Sequence, residues 1–444
     1  MDSENRAATV AQILDPDLWR DVFEDLWARV CPRFVRAEPR WAGRDLVLGL
    51  LAPIERKNGW WLAEHAGHAT PDRMQRLVRD VVFDHDGAAR DLRDFVTEHL
   101  SHELGVLIVD ETGFLKKGIH SVGVQRQYTG TAGRTENAQV GVFLTYASPL
   151  GRALIDRRIY LPASWCEVAE RCAAAGVPDE VGFATKPALA ADMIGAALDA
   201  GVAADWVTGD AVYGADPHLA TQLRRRRIGY VLAIALNRTV QVTPTVRMSA
   251  ALAAAGLPHD AWQHYSAGAG SKGDRDHAWA WITDHTPGPG VHSLLIRRHS
   301  DGTLAYYRCW SPHPVTLSTL IRVAAARWQV EESFQLSKGL VGLDHYQCRT
   351  WTAWHRYTLF AMIALAILTV TLARLHGEQP ATPDLDAELI PLTVPELRRL
   401  TDALILHPVA DIAPVLTWSN WRRRHQARAR RSHYKRRAAT GSEP

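Results

Sequence analysis

The residues best placed to do chemistry lie in the run Arg327-Trp-Gln-Val-Glu331-Glu332-Ser-Phe-Gln-Leu-Ser-Lys338. An α-helix turns about 100° per residue, so Arg327, Glu331 and Lys338 project within roughly 40° of one another, and Glu332 points about 100° away from Glu331. A carboxylate with an arginine four residues before it and a lysine seven after it suits a site that holds a metal ion and a phosphodiester together. The cations take phosphate oxygens and the acid takes the metal. The plain alternative is a surface helix laced with ion pairs. Two further acids favour the first reading. Gly105-Val-Leu-Ile-Val-Asp110 and Trp206-Val-Thr-Gly-Asp210 each end an apolar run at an Asp, the pattern of a core strand that presents an acid at its C-terminal end.

Phosphodiester cleavage needs an activated attacking oxygen and a stabilised leaving oxygen, which two divalent ions about 4 Å apart can supply. In that scheme Asp110 bridges both ions, and Asp210 and Glu331 each complete one shell. Magnesium prefers such ligands. Glu111 and Asp156 are rival acids. Glu111 follows Asp110 along the strand and so should face away, and Asp156 stands among arginines as an ion-pair partner.

Val109-Asp110-Glu-Thr-Gly113, Thr208-Gly-Asp210-Ala-Val-Tyr213-Gly214 and the Arg-x3-Glu-x6-Lys run resemble the DDE transposases of bacterial insertion sequences, in the subgroup whose last motif reads Tyr-x2-Arg-x3-Glu-x6-Lys. Phe114-Leu-Lys-Lys-Gly118, Ser121 to Tyr128, Gly130 to Arg134 and Arg349-Thr-Trp-x2-Trp-His355 look similar, and the resemblance runs from about Trp41 to Arg437. The signature tyrosine would fall at position 324, which is Ala324. The resemblance implies a ribonuclease H-like catalytic core, metal-dependent cleavage at transposon ends and transfer of the freed 3′-hydroxyl into target DNA. It implies two Mg2+ ions, with Mn2+ able to substitute, held by Asp110, Asp210 and Glu331, and phosphate clamping by Arg327 and Lys338. Synapsis of two ends implies a homodimer or larger assembly on double-stranded DNA. A catalytically inactive, transposase-derived DNA-binding protein and a ribonuclease H-like nuclease without strand transfer are the competing readings.

The elements that must position these residues read as an α/β fold. Helical spacing of Trp19, Val22, Phe23, Leu26 and Trp27 opens a helical N-terminal module over 1–103, and Arg56 to Trp61 with Arg73 and Arg76 would suit DNA-end binding. The first part of the ribonuclease H-like core spans 104–236. Its strands are expected at Val106 to Val109, Ser121 to Tyr128, Gln139 to Tyr146, Arg152 to Tyr160, up to Asp210 and over Tyr230 to Leu236, with helices at Ala188 to Ala200 and Asp216 to Arg227. The 121 residues between Asp210 and Glu331 exceed what a helix–strand–helix unit needs, so a β-rich insertion is expected over 237–314. The core resumes over 315–376. A linker near Glu378 to Glu388 and a helical basic region close the chain over 377–444.

Composition bounds the function. The 444 residues suit several modules rather than one small core, and the net charge of +3 alone implies no polyanion partner. Its distribution does: Arg422 to Arg437 holds nine Lys/Arg and no acid, near Trp418, Trp421 and Tyr434, so Arg422, Arg423 and Arg424 are candidate phosphate contacts. Lys117 and Arg126, beyond the first strand, are further candidates beside Lys116 and Arg134. Lys272 lies in Gly268-Ala-Gly-Ser-Lys-Gly273, which lacks the spacing of a nucleotide-binding loop, so no nucleotide cofactor is expected and Lys272 would touch DNA instead. Five cysteines without a CxxC pair suit reduced thiols rather than zinc, and from the charged N-terminus no signal peptide is expected. Leu359 to Ala373 is too short to span a bilayer and reads as a buried core helix. A bacterial cytoplasmic, nucleoid-associated protein with no membrane partner is therefore expected.

Overall fold

The computed structural model describes residues 16–270, 273–378, 390–406 and 413–440. The linker expected near Glu378 to Glu388, apart from Glu378 itself, and Lys272 lie outside them. Five helices come first: α1 (Pro16–Val30), α2 (Ala37–Leu51), α3 (Gly59–His65), α4 (Asp72–Arg79) and α5 (His85–Leu100). Asn58 and Asp84 start α3 and α5 by accepting backbone N–H groups of the first turn. The C-terminal end of α2 is finished from outside. Lys57, 1% exposed, reaches back and donates to the carbonyls of Gly49 and Ala52, the sign of charge that a helix C-terminus favours.

The strands are β1 (Val106–Leu115), β2 (Gln125–Thr129), β3 (Arg134–Ser148), β4 (Gly151–Ile159), β5 (Trp206–Gly209), β6 (Gly229–Ile234), the short pair β7 (Thr239–Gln241) and β8 (Arg247–Ser249), β9 (Gln263–Gly270), β10 (Gly273–Asp284), β11 (Val291–Arg298) and β12 (Leu304–Ser311). One sheet runs β2-β3-β1-β5-β6-β12-β11-β10-β9, with β4 also on β3. Its centre, β4-β3-β1-β5-β6, has antiparallel β4, β3 and β1 followed by parallel β5 and β6. That mixed sheet is consistent with a ribonuclease H-like core. The helices around the later strands are α6 (Lys186–Asp199), α7 (Ala211–Gly214), α8 (Pro217–Arg225), α9 (Leu317–Val341), α10 (Trp351–Glu378) and α11 (Ala413–Thr440).

Two strands differ from their expected bounds. β1 continues five residues past Asp110, because β3 is long enough to pair with it as far as Leu115; what ends at Val109 is the parallel pairing with β5. The strand expected from Ser121 begins only at Gln125, since Val122 and Val124 are tied instead to Arg349, Ser121 and Gln139. Among the described residues, the stretch from 237 to 314 holds six strands, and β12 pairs with β6, so β9 to β12 extend the central sheet. β9 and β10, on either side of the glycine-rich run, pair antiparallel as far as Gly270 and Gly273.

α10 is the core helix on which the molecule closes. Its 27 residues from Trp351 to Gly377 are long and apolar enough to cross a membrane, yet 83% of the most apolar window is buried inside the protein. Leu46, Leu92, Phe95, Phe143, Leu154 and Phe360 belong to the same continuous apolar cluster, so helices α1–α5 and the sheet share one core. Burial of this kind, at about 25 cal/mol per Å2 of apolar surface, is the main stabilising term.

Candidate active site

β1 and β5 bring the first two acids side by side. Their parallel ladder ends at the Val109–Gly209 pair, and the next residue on each strand is the Asp. Asp210 then caps the one-turn helix α7, its Oδ1 accepting from the Val212 N–H at 2.8 Å. Gly209 and Gly214 make this turn possible. A Cβ on Gly209 would press on Val109 and Tyr213, and one on Gly214 would fall 1.8 Å from the Ala233 carbonyl oxygen of β6.

Asp110 lies deep in the site, and burial, followed by the negative charge of Asp210, pushes its carboxyl up to about 7. Arg327 opposes that rise. Asp210 is raised as well, by burial and then by the charge of Glu111. Two half-buried acids whose ionisation is discouraged by burial and by neighbouring acidic charge mark a local deficit of positive charge.

α9 supplies the cation that partly fills it. The Arg327 guanidinium lies 3.8 Å from Asp110 Oδ2 and 3.2 Å from Glu331 Oε1, linking the sheet acid to the helix acid. Glu332 turns the other way and accepts from Arg152 at 2.7 Å, as the helical angles require. Lys338, two turns beyond Glu331, is committed differently: its Nζ donates to the Gly113 carbonyl at 3.2 Å and to Thr131 Oγ1 at 3.1 Å, fastening the β2–β3 turn onto β1. Burial lowers its pKa. Trp328 follows Arg327, and the guanidiniums of Arg327 and Arg297 lie 5.7 and 5.2 Å from its ring centre, within cation–π range. Ala324 is 2% exposed and is filled in by the core.

The other candidates are dispersed. Lys117 and Arg126 are exposed beyond the C-terminal end of β1 and on β2, whereas Lys116 is drawn inward, with its ammonium 3.6 Å from the Tyr346 ring centre. Arg423 and Arg424 are half-buried on α11, Arg423 donating to the Ile390 carbonyl at 2.9 Å; the side chain of Arg422 lies outside the described residues. Asp156 is paired with Arg158 at 2.7 Å.

Glu111 leaves β1 on the face opposite Asp110, as strand alternation requires, but its partners were not foreseen from the sequence. It accepts from Tyr213 Oη at 2.7 Å and from Lys186 Nζ at 2.6 Å, close enough to Asp210 for its charge to raise that acid. The available signal was Tyr213, one helical turn after Asp210 and so able to look back at β1.

Among the described residues no three His, Cys, Asp or Glu side chains converge closely enough to hold a metal ion. The donors nevertheless fit a hard divalent cation in kind. Asp110 and Asp210 are half-buried oxygen donors on adjacent segments, and a cation between them would relieve both shifts. Glu331 stands one guanidinium away.

Residues 29–265, just over half the chain, match the family model described as DDE superfamily endonuclease, and residues 184–367 match that described as transposase DDE domain. A probable transposase for insertion sequence element IS701 from Microchaete diplosiphon is 27% identical over 210 residues, which are 46% of this chain and 51% of the relative. The chain thus spans about half the length of that curated relative.

Proposed function

The chain belongs to the DDE superfamily endonucleases, as an insertion-sequence DDE transposase, and from that premise we propose that it cuts DNA at the ends of a mobile element and joins the freed 3′-hydroxyl to target DNA. The observation that carries this reading is the adjacency of Asp110 and Asp210 at the end of the β1–β5 ladder, with Arg327 linking Asp110 to Glu331. Asp110, Asp210 and Glu331 would hold two Mg2+ ions, which supply Lewis acidity toward the phosphodiester and a more acidic bound water.

The protein's own residues do the remainder. Arg327 screens Asp110 and Glu331, and its guanidinium would take a phosphate oxygen in the bidentate manner arginine favours. Lys338 holds the β2–β3 turn over β1 and so shapes one wall of the strand path. Lys117, Arg126, Lys272 and the cations of α11 would follow the DNA backbone farther out, as salt-sensitive contacts that fix register without reading bases. Two copies are needed to hold two ends, so the working form is a dimer or larger on DNA.

The test is cleavage and joining of a labelled duplex carrying the sequences that flank the gene. Wild type with magnesium should nick the duplex and join its 3′-hydroxyl end to a second duplex, and Asp110→Asn and Asp210→Asn should do neither while retaining DNA affinity. Nicking without joining would leave a nuclease. Binding without either would leave a DNA-binding descendant.

A further inference from the structure

We propose that Glu111, held by Tyr213 and Lys186, is the positioning residue that keeps Asp110 and Asp210 at their working separation; this rests on the reading of those two acids as the metal-holding pair. The backbone leaves a gap there. The last bonded pair between β1 and β5 is Val109–Gly209, so no strand pairing joins the two segments where the carboxylates sit. The two acids repel, and each gains by moving apart.

Glu111 bridges that gap. Its backbone adjoins Asp110, and its Oε2 accepts from Tyr213 Oη at 2.7 Å, on the helix that Asp210 caps. Its Oε1 accepts from Lys186 Nζ at 2.6 Å, at the first turn of α6. Tyr213 is fully buried, and the close seat of Gly214 on Ala233 keeps α7 against β6, so the phenol is a fixed post rather than a mobile arm. The bridge thus runs from the residue after the first acid to the residue three after the second. Charge-assisted hydrogen bonds of this length are among the stronger polar contacts in proteins. The Glu111 charge itself works against ionisation of both neighbouring acids, so the carboxylate serves the pair through geometry and not by favouring its charged form.

Tyr213→Phe isolates the geometry, because it deletes one hydroxyl and changes no charge. The full-length protein would be titrated with Tb3+ alone, followed by luminescence sensitised by the protein's tryptophans, with urea denaturation and DNA affinity measured alongside. Loss of a partner that orients a metal ligand costs about 10- to 100-fold in metal affinity. Tyr213→Phe should therefore bind Tb3+ at least about tenfold more weakly and need correspondingly more magnesium for half-maximal nicking, with DNA affinity unchanged. Glu111→Gln keeps an acceptor for the phenol and should lie nearer wild type than Glu111→Ala. Unchanged Tb3+ affinity in Tyr213→Phe would overturn the proposal, whether or not stability falls. A wild type that neither binds Tb3+ nor nicks DNA would instead remove the enzyme reading on which it rests.

Discussion

Replacing Asp110 by Asn should make the metal-free protein more stable while removing the residue the site is built on. The fold lifts this carboxyl from 3.8 to about 7, chiefly by burial and by the neighbouring Asp210. The unfolded chain ionises near 3.8, so the folded state holds the proton more tightly. The resulting penalty is absent below pH 3.8, grows as pH rises toward 7 and is complete above it. A rise of that size corresponds to about 4 kcal/mol held against the ionised fold. Asn keeps an oxygen to accept from the Glu111 N–H, now 2.8 Å from Asp110 Oδ1, and needs no ionisation. Part of the effect is shared with Asp210, so the expected gain for Asp110→Asn at pH 8 is about 1–4 kcal/mol. Urea denaturation in EDTA at pH 8 and pH 4 measures it, and most of the gain should be gone at pH 4. A variant no more stable than wild type at pH 8, or one whose advantage is the same at both pH values, would refute the electrostatic account of the site.

Arg327→Met removes the link between Asp110 and Glu331 and should slow cleavage by about 10²–10³-fold with a smaller loss of DNA affinity; Arg327→Lys should rescue little, since one ammonium lacks the fork that spans two partners. Equal activity of the lysine variant in a nicking assay would count against a bridging role. Lys57→Met leaves the Gly49 and Ala52 carbonyls without their buried donor and should cost about 1–3 kcal/mol in urea denaturation. Replacing the exposed Arg428, Arg431 and Lys435 of α11 with Ala should weaken DNA binding and flatten its salt dependence, by a slope of about 0.9 for each phosphate that is no longer neutralised; an unchanged slope would mean that α11 stays off the DNA.

How much of this was legible in the sequence depended on how locally each feature is encoded. The angular period of a helix is enough to set Arg327 beside Glu331 and to turn Glu332 toward another partner, here Arg152. Apolar runs that stop at Asp110 and Asp210 are equally local signals. The buried character of α10 was readable from its composition, although the helix is longer than its most apolar stretch. Sheet register was not readable. Periodicity cannot tell that β3 accompanies β1 as far as Leu115, or that β12 docks on β6 and makes the later strands one surface with the earlier ones. Glu111 was missed for a related reason. Alternation along a strand says which face a side chain leaves from, but its partners, Lys186 and Tyr213, lie 75 and 102 residues away. Lys338 shares the helical face of Glu331, yet Gly113 and Thr131 claim its ammonium, an arrangement that only the packed sheet reveals.

The most direct test compares two neighbouring residues on one helix. Wild type, Glu331→Gln and Glu332→Gln would be assayed for magnesium-dependent nicking of a labelled duplex carrying the flanking ends. Glu331→Gln should bind the duplex but not cut, and Glu332→Gln, whose change falls on its pairing with Arg152, should still cut. Cleavage by Glu331→Gln at the wild-type rate would contradict a catalytic role for Glu331.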